Sequence, residues 1–427
     1  MMSAPLDFFQ YDRSQELCTD GVKLSEIARK IGTPVYVYNA SAFLEPLKEL
    51  KKGLKSLNHL ICFAVKSNSS LAILKLLADA GAGMDLVSGG ELYRAEKAGV
   101  PRDRIVFSGV GKTALEIEAA LRAGIFSFNV ESLPELKLIN AVAMKKGAVA
   151  HVALRFNPDV NAKTHPYIST GLKKNKFGLN RQEILEILLE LKRLKGISLR
   201  GLSIHIGSQL LSLSPLEASF IKLKQLTIEV EKILGHPIRF LDLGGGLGIS
   251  YETKSAKSPS IKQYCQLITK HFGPRTDFKS KKIVLEPGRV LSGNGGVLLS
   301  TVLYRKVRKS KDFLIIDAGM NDLLRPALYG SHHDIFPVRH VNGQTRLTDI
   351  VGPVCETSDC LASDRKMSLE IGAGDLVAVL SSGAYGFTMS SNYNSRPRPP
   401  EVLVQNGKMK VIRKRETHQD LIRGEVL

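Results

Sequence analysis

Eight short apolar runs, separated by seven stretches of helical periodicity with an eighth stretch before the first run, set the strongest constraint on what this chain can become. The runs fall at Leu60 to Val65, Met84 to Val87, Ile105 to Phe107, Phe126 to Val130, His151 to Phe156, Gly201 to His205, Phe240 to Leu243 and Ile283 to Leu285. Helical spacing runs from Ala42 to Leu57, Leu71 to Ala80, Gly90 to Ala98, Ala114 to Ala123, Leu133 to Lys146, Arg181 to Lys195, Pro215 to Leu234 and Ile261 to Phe272. Runs that are apolar on both faces suit parallel strands covered by helices. Eight of them predict an α/β fold, a (β/α)8 barrel, with an open doubly wound sheet as the alternative.

After Arg289 the rhythm changes. Short β-like runs follow at Val297 to Val307, Phe313 to Asp317, Arg346 to Ile350, Leu376 to Leu380 and Val402 to Ile412, with Asn342-Gly343 and Asn406-Gly407 as hairpin signals. The expected division is a barrel over 35–290 and an antiparallel β domain over 291–427. The segment 1–34, which contains a predicted helix from Leu24 to Ile31, joins that second domain.

A chain of 427 residues with 43% hydrophobic and 24% charged residues can bury a large core. No apolar stretch is long enough to span a bilayer, and Met1 to Arg13 lacks the basic start and apolar core of a secretory signal. Cys18, Cys62, Cys265, Cys355 and Cys360 are few, odd in number and without metal-ligand spacing, which points to the cytoplasm and to no zinc site. The formal charge of +19 would permit an anionic partner, but the lysines are spread over many helices and aromatics make up only 6%. Solvated faces are the reading, and no nucleic-acid partner is expected.

Chemistry gathers where strands end, the face on which barrels of this kind carry their sites. Lys66 closes the first run and is followed by Ser67 and Asn68; it is either a solvated strand end or an amine made nucleophilic by desolvation. Asp85 lies in the second run, His205 ends the sixth, Gly244 follows the seventh and Glu286 the eighth. Leu241 to Gly248 contains four glycines, but a dinucleotide fingerprint counted from Gly244 would need its third glycine at position 249, which is Ile249, so that motif fails. Its amides could cradle a phosphate, as could the turn Glu286-Pro287-Gly288-Arg289; a tight strand-to-helix turn is the alternative for each. An amine, a phosphate cradle and a strand-end acid together point to pyridoxal phosphate, which needs an aldehyde partner, an anchor and an acid opposite its ring nitrogen. Glu286 is the candidate acid, with His205 stacking on the ring and Ser208 on the phosphate.

Phe63 to Asn68, Asp85 to Leu92, Lys163 to Gly178, His205 to Gln209, Gly244 to Gly248 and Glu286 to Arg289 resemble, in consistent order, the diaminopimelate decarboxylase family of alanine-racemase-like pyridoxal phosphate enzymes. The resemblance implies that Lys66 holds the cofactor's aldehyde covalently, that Asp85 lies in the cofactor site, and that His205 and Glu286 face the ring. Ser208, Gly245, Gly246 and the turn of Glu286, Pro287, Gly288 and Arg289 would hold the phosphate. It further implies that Arg289, Arg325, Tyr329 and Tyr385 bind substrate, with Tyr385 also reaching the cofactor. The segment Gly352 to Asp359 would be inserted by a neighbouring subunit of a homodimer. There Cys355 would be a proton donor and Glu356 would meet the substrate's distal amine. A basic pocket suits a substrate with two carboxylates. Ser358 departs from the glycine common in the family.

The implied reaction converts meso-2,6-diaminopimelate to L-lysine and carbon dioxide. Rival readings are a related decarboxylase of ornithine, arginine or carboxynorspermidine, and a non-catalytic pyridoxal-phosphate-binding regulatory protein.

Overall fold

The structure, a computed structural model, describes residues 7–161, 175–252 and 258–427. Most of the segment Lys163 to Gly178 therefore lies outside the described residues. The chain forms two compact units: one of Leu44–Ile249 and Lys257–Val290, the other of Met1–Phe43, Ser250–Ala256 and Leu291–Leu427.

In the first unit the eight apolar runs become His59–Ala64, Gly83–Leu86, Ile105–Phe107, Ser127–Val130, Ala150–Phe156, Ile197–Ile204, Phe240–Asp242 and Lys282–Leu285. Each pairs in parallel with its neighbours and the last closes on the first, Ile283 opposite His59, so the sheet is a barrel and not an open sheet. Sequence-coded caps start the outer helices. Thr113 with Glu116, Asn180 with Glu183 and Ser260 with Gln263 form reciprocal capping boxes. Ser88 and Ser132 cap the helices that follow them. Inside the barrel Leu60, Cys62, Val106, Ala153, Phe240 and Val284 pack together. Gly201 is required there, because a Cβ on it would lie 2.7 Å from the Phe240 ring.

The second unit is built on a sheet whose strands lie in the order Cys360–Ser368, Thr345–Val351, Asp312–Ile316, Gly296–Val307, Val35–Asn39, Glu401–Gln405 and Lys408–Arg413. It departs from expectation in four ways. Val35–Asn39, assigned from sequence to the barrel, sits in the middle of this sheet, antiparallel to Gly296–Leu299 and parallel to Glu401–Val404. All five of its residues are buried, and Tyr36 and Tyr38 donate to the Asp322 carbonyl and the Glu401 carboxylate at 2.6 and 2.7 Å. The boundary thus falls after Phe43. Secondly, the sheet is mixed, since Asp312–Ile316 also runs parallel to Thr345–Val351. Thirdly, Asn342-Gly343 closes no hairpin, because the preceding strand Ile335–Pro337 pairs with Leu376–Val379. By contrast Asn406-Gly407 does close one, with φ of 52° and 70° that match the turn type favoured in hairpins. Finally, the strand Cys360–Ser368 was not anticipated, its apolar alternation broken by Ser363 to Lys366. Phe9, Leu17, Leu24 and Ile27 of the N-terminal segment share a core with Val35, Val297, Leu299, Val402 and Val404.

Replacing Phe240, the ring that fills the lower barrel, by Ala should destabilise that unit by about 3–5 kcal/mol. Urea unfolding followed by far-UV circular dichroism would show an earlier transition. An unchanged midpoint would mean that Phe240 does not carry the barrel's packing.

Candidate active site

Lys66 lies just past the carboxyl end of His59–Ala64, in the short turn Val65–Ser67. Two bonds fix that turn: the Ser67 hydroxyl donates to the Ala64 carbonyl at 2.8 Å, and the Ala64 amide donates to the Pro287 carbonyl at 3.0 Å. The Lys66 ammonium donates to Asp85 Oδ2 at 2.6 Å. Asp85 is fully buried and its other oxygen has no hydrogen-bond partner among the described residues.

Behind this pair lies a second buried group. Asn129 Nδ2 donates to Asp242 Oδ2 at 2.9 Å and to Glu286 Oε1 at 3.0 Å, and the Ser108 hydroxyl reaches the same Glu286 oxygen at 3.2 Å. The Gly244 amide donates to Asp242 Oδ1 at 2.9 Å. Burial pushes the Asp242 carboxyl up from 3.8 to about 6, against the pull of its hydrogen bonds. Glu286 is raised well above the ordinary carboxylate range, first by burial and then by Asp242 and Asp85, with Lys66 opposing. Two carboxylates that share one amide donor in a dry interior cannot both ionise cheaply. The pair therefore keeps a proton near neutral pH unless a cation is placed beside it.

The turns after three consecutive strands meet here. A Cβ on Gly244 would collide with the Ile204 carbonyl oxygen, and one on Gly245 with that of Glu286. Gly244 and Gly246 have φ of 66° and 103°, the region that favours glycine. The Gly245 amide donates to His205 Nδ1 at 3.2 Å, which leaves the imidazole proton on Nε2. Burial, then Arg155 and Lys66, hold His205 well below its usual pKa, so its ring is flat and neutral. Arg289, itself buried, donates to the Ser208 hydroxyl at 3.1 Å. Pro287 and Gly288 are buried in the same turn, and Gly288 leaves room for Ala64 and Ser67, whose Cβ atoms would lie 3.2 Å from its own.

In the other unit Arg325 and Tyr329 begin and end the helix Arg325–Tyr329. Arg325 is only 5% exposed. Its guanidinium donates to the Ser331 hydroxyl at 3.1 Å and lies 5.1 Å from the Tyr251 ring centre. Cys355 and Glu356 are exposed; the Cys355 amide donates to Asn394 Oδ1 at 2.8 Å, and the Tyr393 hydroxyl donates to Glu356 at 3.3 Å. Asp359 shapes this loop, taking the amides of Val354 and Met320 at 2.7 and 2.6 Å. Ser358 points its hydroxyl at Met320 Sδ, 3.7 Å away, so its side chain leaves the loop's backbone bonds undisturbed. Tyr385 is half-buried with φ of 56°, a strained conformation for an aromatic residue.

Sequence reading named Lys66, Asp85, His205 and Glu286 but gave no role to Asn129, Ser108, Asp242 or Glu91. Asn129 is the one amide side chain inside an apolar run, which is the signal that would have found it. Glu91, quoted only as part of a motif, is raised to about 7, chiefly by burial, with the Val87 amide and Lys66 opposing.

The residues fit pyridoxal phosphate. An unpaired buried carboxylate oxygen on Asp85 and a crowded acid pair at Asp242 and Glu286 are electrostatically suited to a protonated ring nitrogen. The glycine turn, Ser208 and Arg289 present amides, a hydroxyl and a guanidinium of the kind that hold phosphate.

A carboxyl with a raised folded-state pKa stabilises the fold below its unfolded pKa and loses that contribution as pH rises to the folded value. The cofactor-free protein should therefore lose stability between the ordinary 3.8 and about 6 through Asp242. Asp242→Asn should gain on wild type as pH rises from about 4 to about 7, read as the difference in thermal midpoint. A difference independent of pH would contradict the buried-acid description.

Residues 41–293 match the family described as pyridoxal-dependent decarboxylase, pyridoxal binding domain. The diaminopimelate decarboxylase of Pseudomonas aeruginosa is 46% identical over 424 residues, 99% of each chain. That of Aquifex aeolicus is 45% identical over 410 residues, 96% of each. Among solved structures, the diaminopimelate decarboxylase of M. jannaschii in complex with L-lysine superposes with a TM-score of 0.93 at 37% identity, covering 99% of each chain. With barrel, lysine, acid and glycine turn in place, this likeness over nearly its whole length means that the chain belongs to the diaminopimelate decarboxylase family.

Proposed function

We propose that this protein decarboxylates meso-2,6-diaminopimelate to L-lysine and carbon dioxide with pyridoxal phosphate, the step that completes lysine biosynthesis. The observation that carries the reading is the Lys66 ammonium held 2.6 Å from buried Asp85 in front of the Asp242 and Glu286 pair. When bound, the cofactor supplies an electron sink for the pair left behind as the α-carboxylate departs.

This chain's residues do the rest. Lys66 Nζ would be the nucleophile that holds the cofactor's aldehyde. Glu286, kept in place by Asn129 and Ser108, would hold a proton on the ring nitrogen. His205 would present its neutral ring to the cofactor, while Ser208, Gly245, Gly246 and the turn from Glu286 to Arg289 would bind its phosphate. Arg325 and Tyr329 receive the substrate's distal carboxylate, with Arg289 and Tyr385 as further contacts. Glu356 takes the distal ammonium, and the Cys355 thiol delivers a proton to the carbon that lost carbon dioxide.

Ornithine and arginine have no distal carboxylate for a buried guanidinium to receive, which sets them below diaminopimelate as substrates. A homodimer with shared sites is part of the proposal, and the exposure of Cys355 and Glu356 supports it. The cytoplasm is the proposed compartment, and among the described residues no helix is long and apolar enough to cross a membrane.

The purified protein with added cofactor should release carbon dioxide from meso-diaminopimelate and not from ornithine or arginine. Release only from the latter two would overturn the substrate. Lys66→Ala should lose the absorbance of covalently held cofactor. Arg325→Met should lower kcat/KM by about a hundredfold, as expected for a lost charged contact. Sharing has its own check: mixing and refolding two inactive proteins, Lys66→Ala and Cys355→Ala, should restore roughly a quarter of wild-type activity if sites are composite across a two-fold interface. No recovery would place both residues of a site on one chain.

A further inference from the structure

The chain has 60 lysines and arginines against 41 aspartates and glutamates, an excess that decarboxylation does not use. Part of that excess is gathered at the amino-terminal mouth of the barrel, the end of the strands opposite Lys66. Going round the ladder, Arg200 is the bulged residue between Leu199 and Gly201, Arg239 immediately precedes Phe240–Asp242, and Lys282 and His59 open the next two strands. Arg104 immediately precedes Ile105–Phe107, and His151 is the second residue of Ala150–Phe156. Backbone bonds hold the arginines level: the Arg239 amide donates to the Arg200 carbonyl at 2.7 Å, and the Lys282 amide to the Arg239 carbonyl at 3.1 Å.

The cations fall into two groups of like charge, Lys51 with Arg104, and Arg200 with Arg239 and His151. Lys51, whose ammonium donates to the Ala80 carbonyl, is lowered in pKa by burial and then by Arg104. Arg200 is lowered by burial and then by Arg239, and His151 by burial and then by both arginines. Among the described residues, none of Lys51, Arg104, Arg200, Arg239 and Lys282 forms an ion pair with a carboxylate, although Lys281, just before Lys282, pairs with Glu231. Lys51, His59, Arg104 and Lys282 line a cleft of about 470 Å³ whose one acidic residue, Asp103, is exposed. The barrel interior beyond is closed by Phe126 and Phe240, 4.8 Å apart, with the Lys282 ammonium 5.5 Å from the Phe126 ring. A ligand here is therefore separate from the catalytic end.

Like charges held together in a concave, partly desolvated place repel one another until an anion arrives. We propose that this mouth binds a compact polyanion carrying two or more phosphate groups. Guanidinium forks and ammonium groups match phosphate oxygens, and several charges round one small cleft favour a linked di- or triphosphate over a single monovalent anion. The cleft's volume suits a small molecule and not a duplex.

Calorimetric titration of the holoenzyme with inorganic tripolyphosphate, adenosine triphosphate and orthophosphate tests this. Tripolyphosphate should bind one per chain, tighter than orthophosphate, and weaken steeply as salt is raised. Equal affinity for the nucleotide would assign recognition to the phosphate chain, and tighter binding of the nucleotide would name a nucleotide as the source; both support the site. The double variant Lys51→Gln with Arg104→Gln, which strips two cations from the cleft, should weaken binding by at least about tenfold, and Arg200→Gln with Arg239→Gln, on the same mouth but outside the cleft, should weaken it less. Lys408→Gln with Lys410→Gln, on the exposed strand Lys408–Arg413, should not weaken it. Carbon dioxide release without polyanion should be unchanged in all of them. Relief of repulsion gives an independent readout: Arg239→Gln should raise the thermal midpoint at low salt without ligand and shrink the rise that tripolyphosphate causes. Absence of binding, orthophosphate binding as tightly as tripolyphosphate, undiminished binding by the mouth variants, or binding of duplex DNA alone would each overturn the proposal.

Discussion

Three carboxylates buried beside one ammonium are the condition on which the rest of this site depends. Asp85, Asp242 and Glu286 are all withdrawn from water in one barrel, and the Lys66 ammonium opposes the rise of the Glu286 pKa. Burying unpaired charge is costly, and structures meet that cost with protons, hydrogen bonds or a counter-ion. Here all three means are visible. Asn129, Ser108 and the Gly244 amide satisfy oxygens of Asp242 and Glu286, the raised pKa values retain a proton, and Lys66 answers Asp85. A bound cation can take the proton's place. A pyridine nitrogen placed in such surroundings would stay protonated, which is the state in which the ring withdraws electrons most strongly.

The barrel makes this arrangement possible. Parallel strands end together, so turns that are far apart in sequence meet at one face, and the interior supplies a dry background. Close approach of the turns after Ile197–Ile204, Phe240–Asp242 and Lys282–Leu285 demands glycine at Gly244 and Gly245. A further buried pair steadies the surroundings of His205: Arg155 binds Glu131 at 2.7 Å and points a second nitrogen at the His205 carbonyl, 3.5 Å away, while Glu131 also accepts the Gly178 amide at 3.0 Å. The same closed geometry gathers the opposite charge at the other mouth, where among the described residues Lys51, Arg104, Arg200, Arg239 and Lys282 form no ion pair with a carboxylate.

Much of this was legible in the residues. Eight apolar runs with helical intervals specify a parallel closed sheet because both faces of each strand must be covered, and Lys66, His205 and Glu286 stand out where those runs stop. Asn129 and Asp242 were harder to see. One polar side chain within or at the end of an apolar run carries no periodic signal, and its role depends on neighbours from distant strands. Val35–Asn39 was not read as a strand and fell to the barrel only through the boundary at residue 35, because five fully buried residues ahead of a helix carry no sign of which sheet they join. Asn342-Gly343 has hairpin chemistry, yet the strands on either side pair elsewhere, which local turn preference cannot report. Hence strand order round the barrel was readable and strand partnership in the second unit was not.

The account's central claim is that the buried acids are set to hold a cation at the cofactor's ring nitrogen. Nitrogen NMR of protein loaded with ring-labelled pyridoxal phosphate tests it most directly. A protonated ring nitrogen across neutral pH in wild type, lost in Glu286→Gln, is the predicted result. An unprotonated nitrogen in wild type, or one indifferent to Glu286, would contradict it.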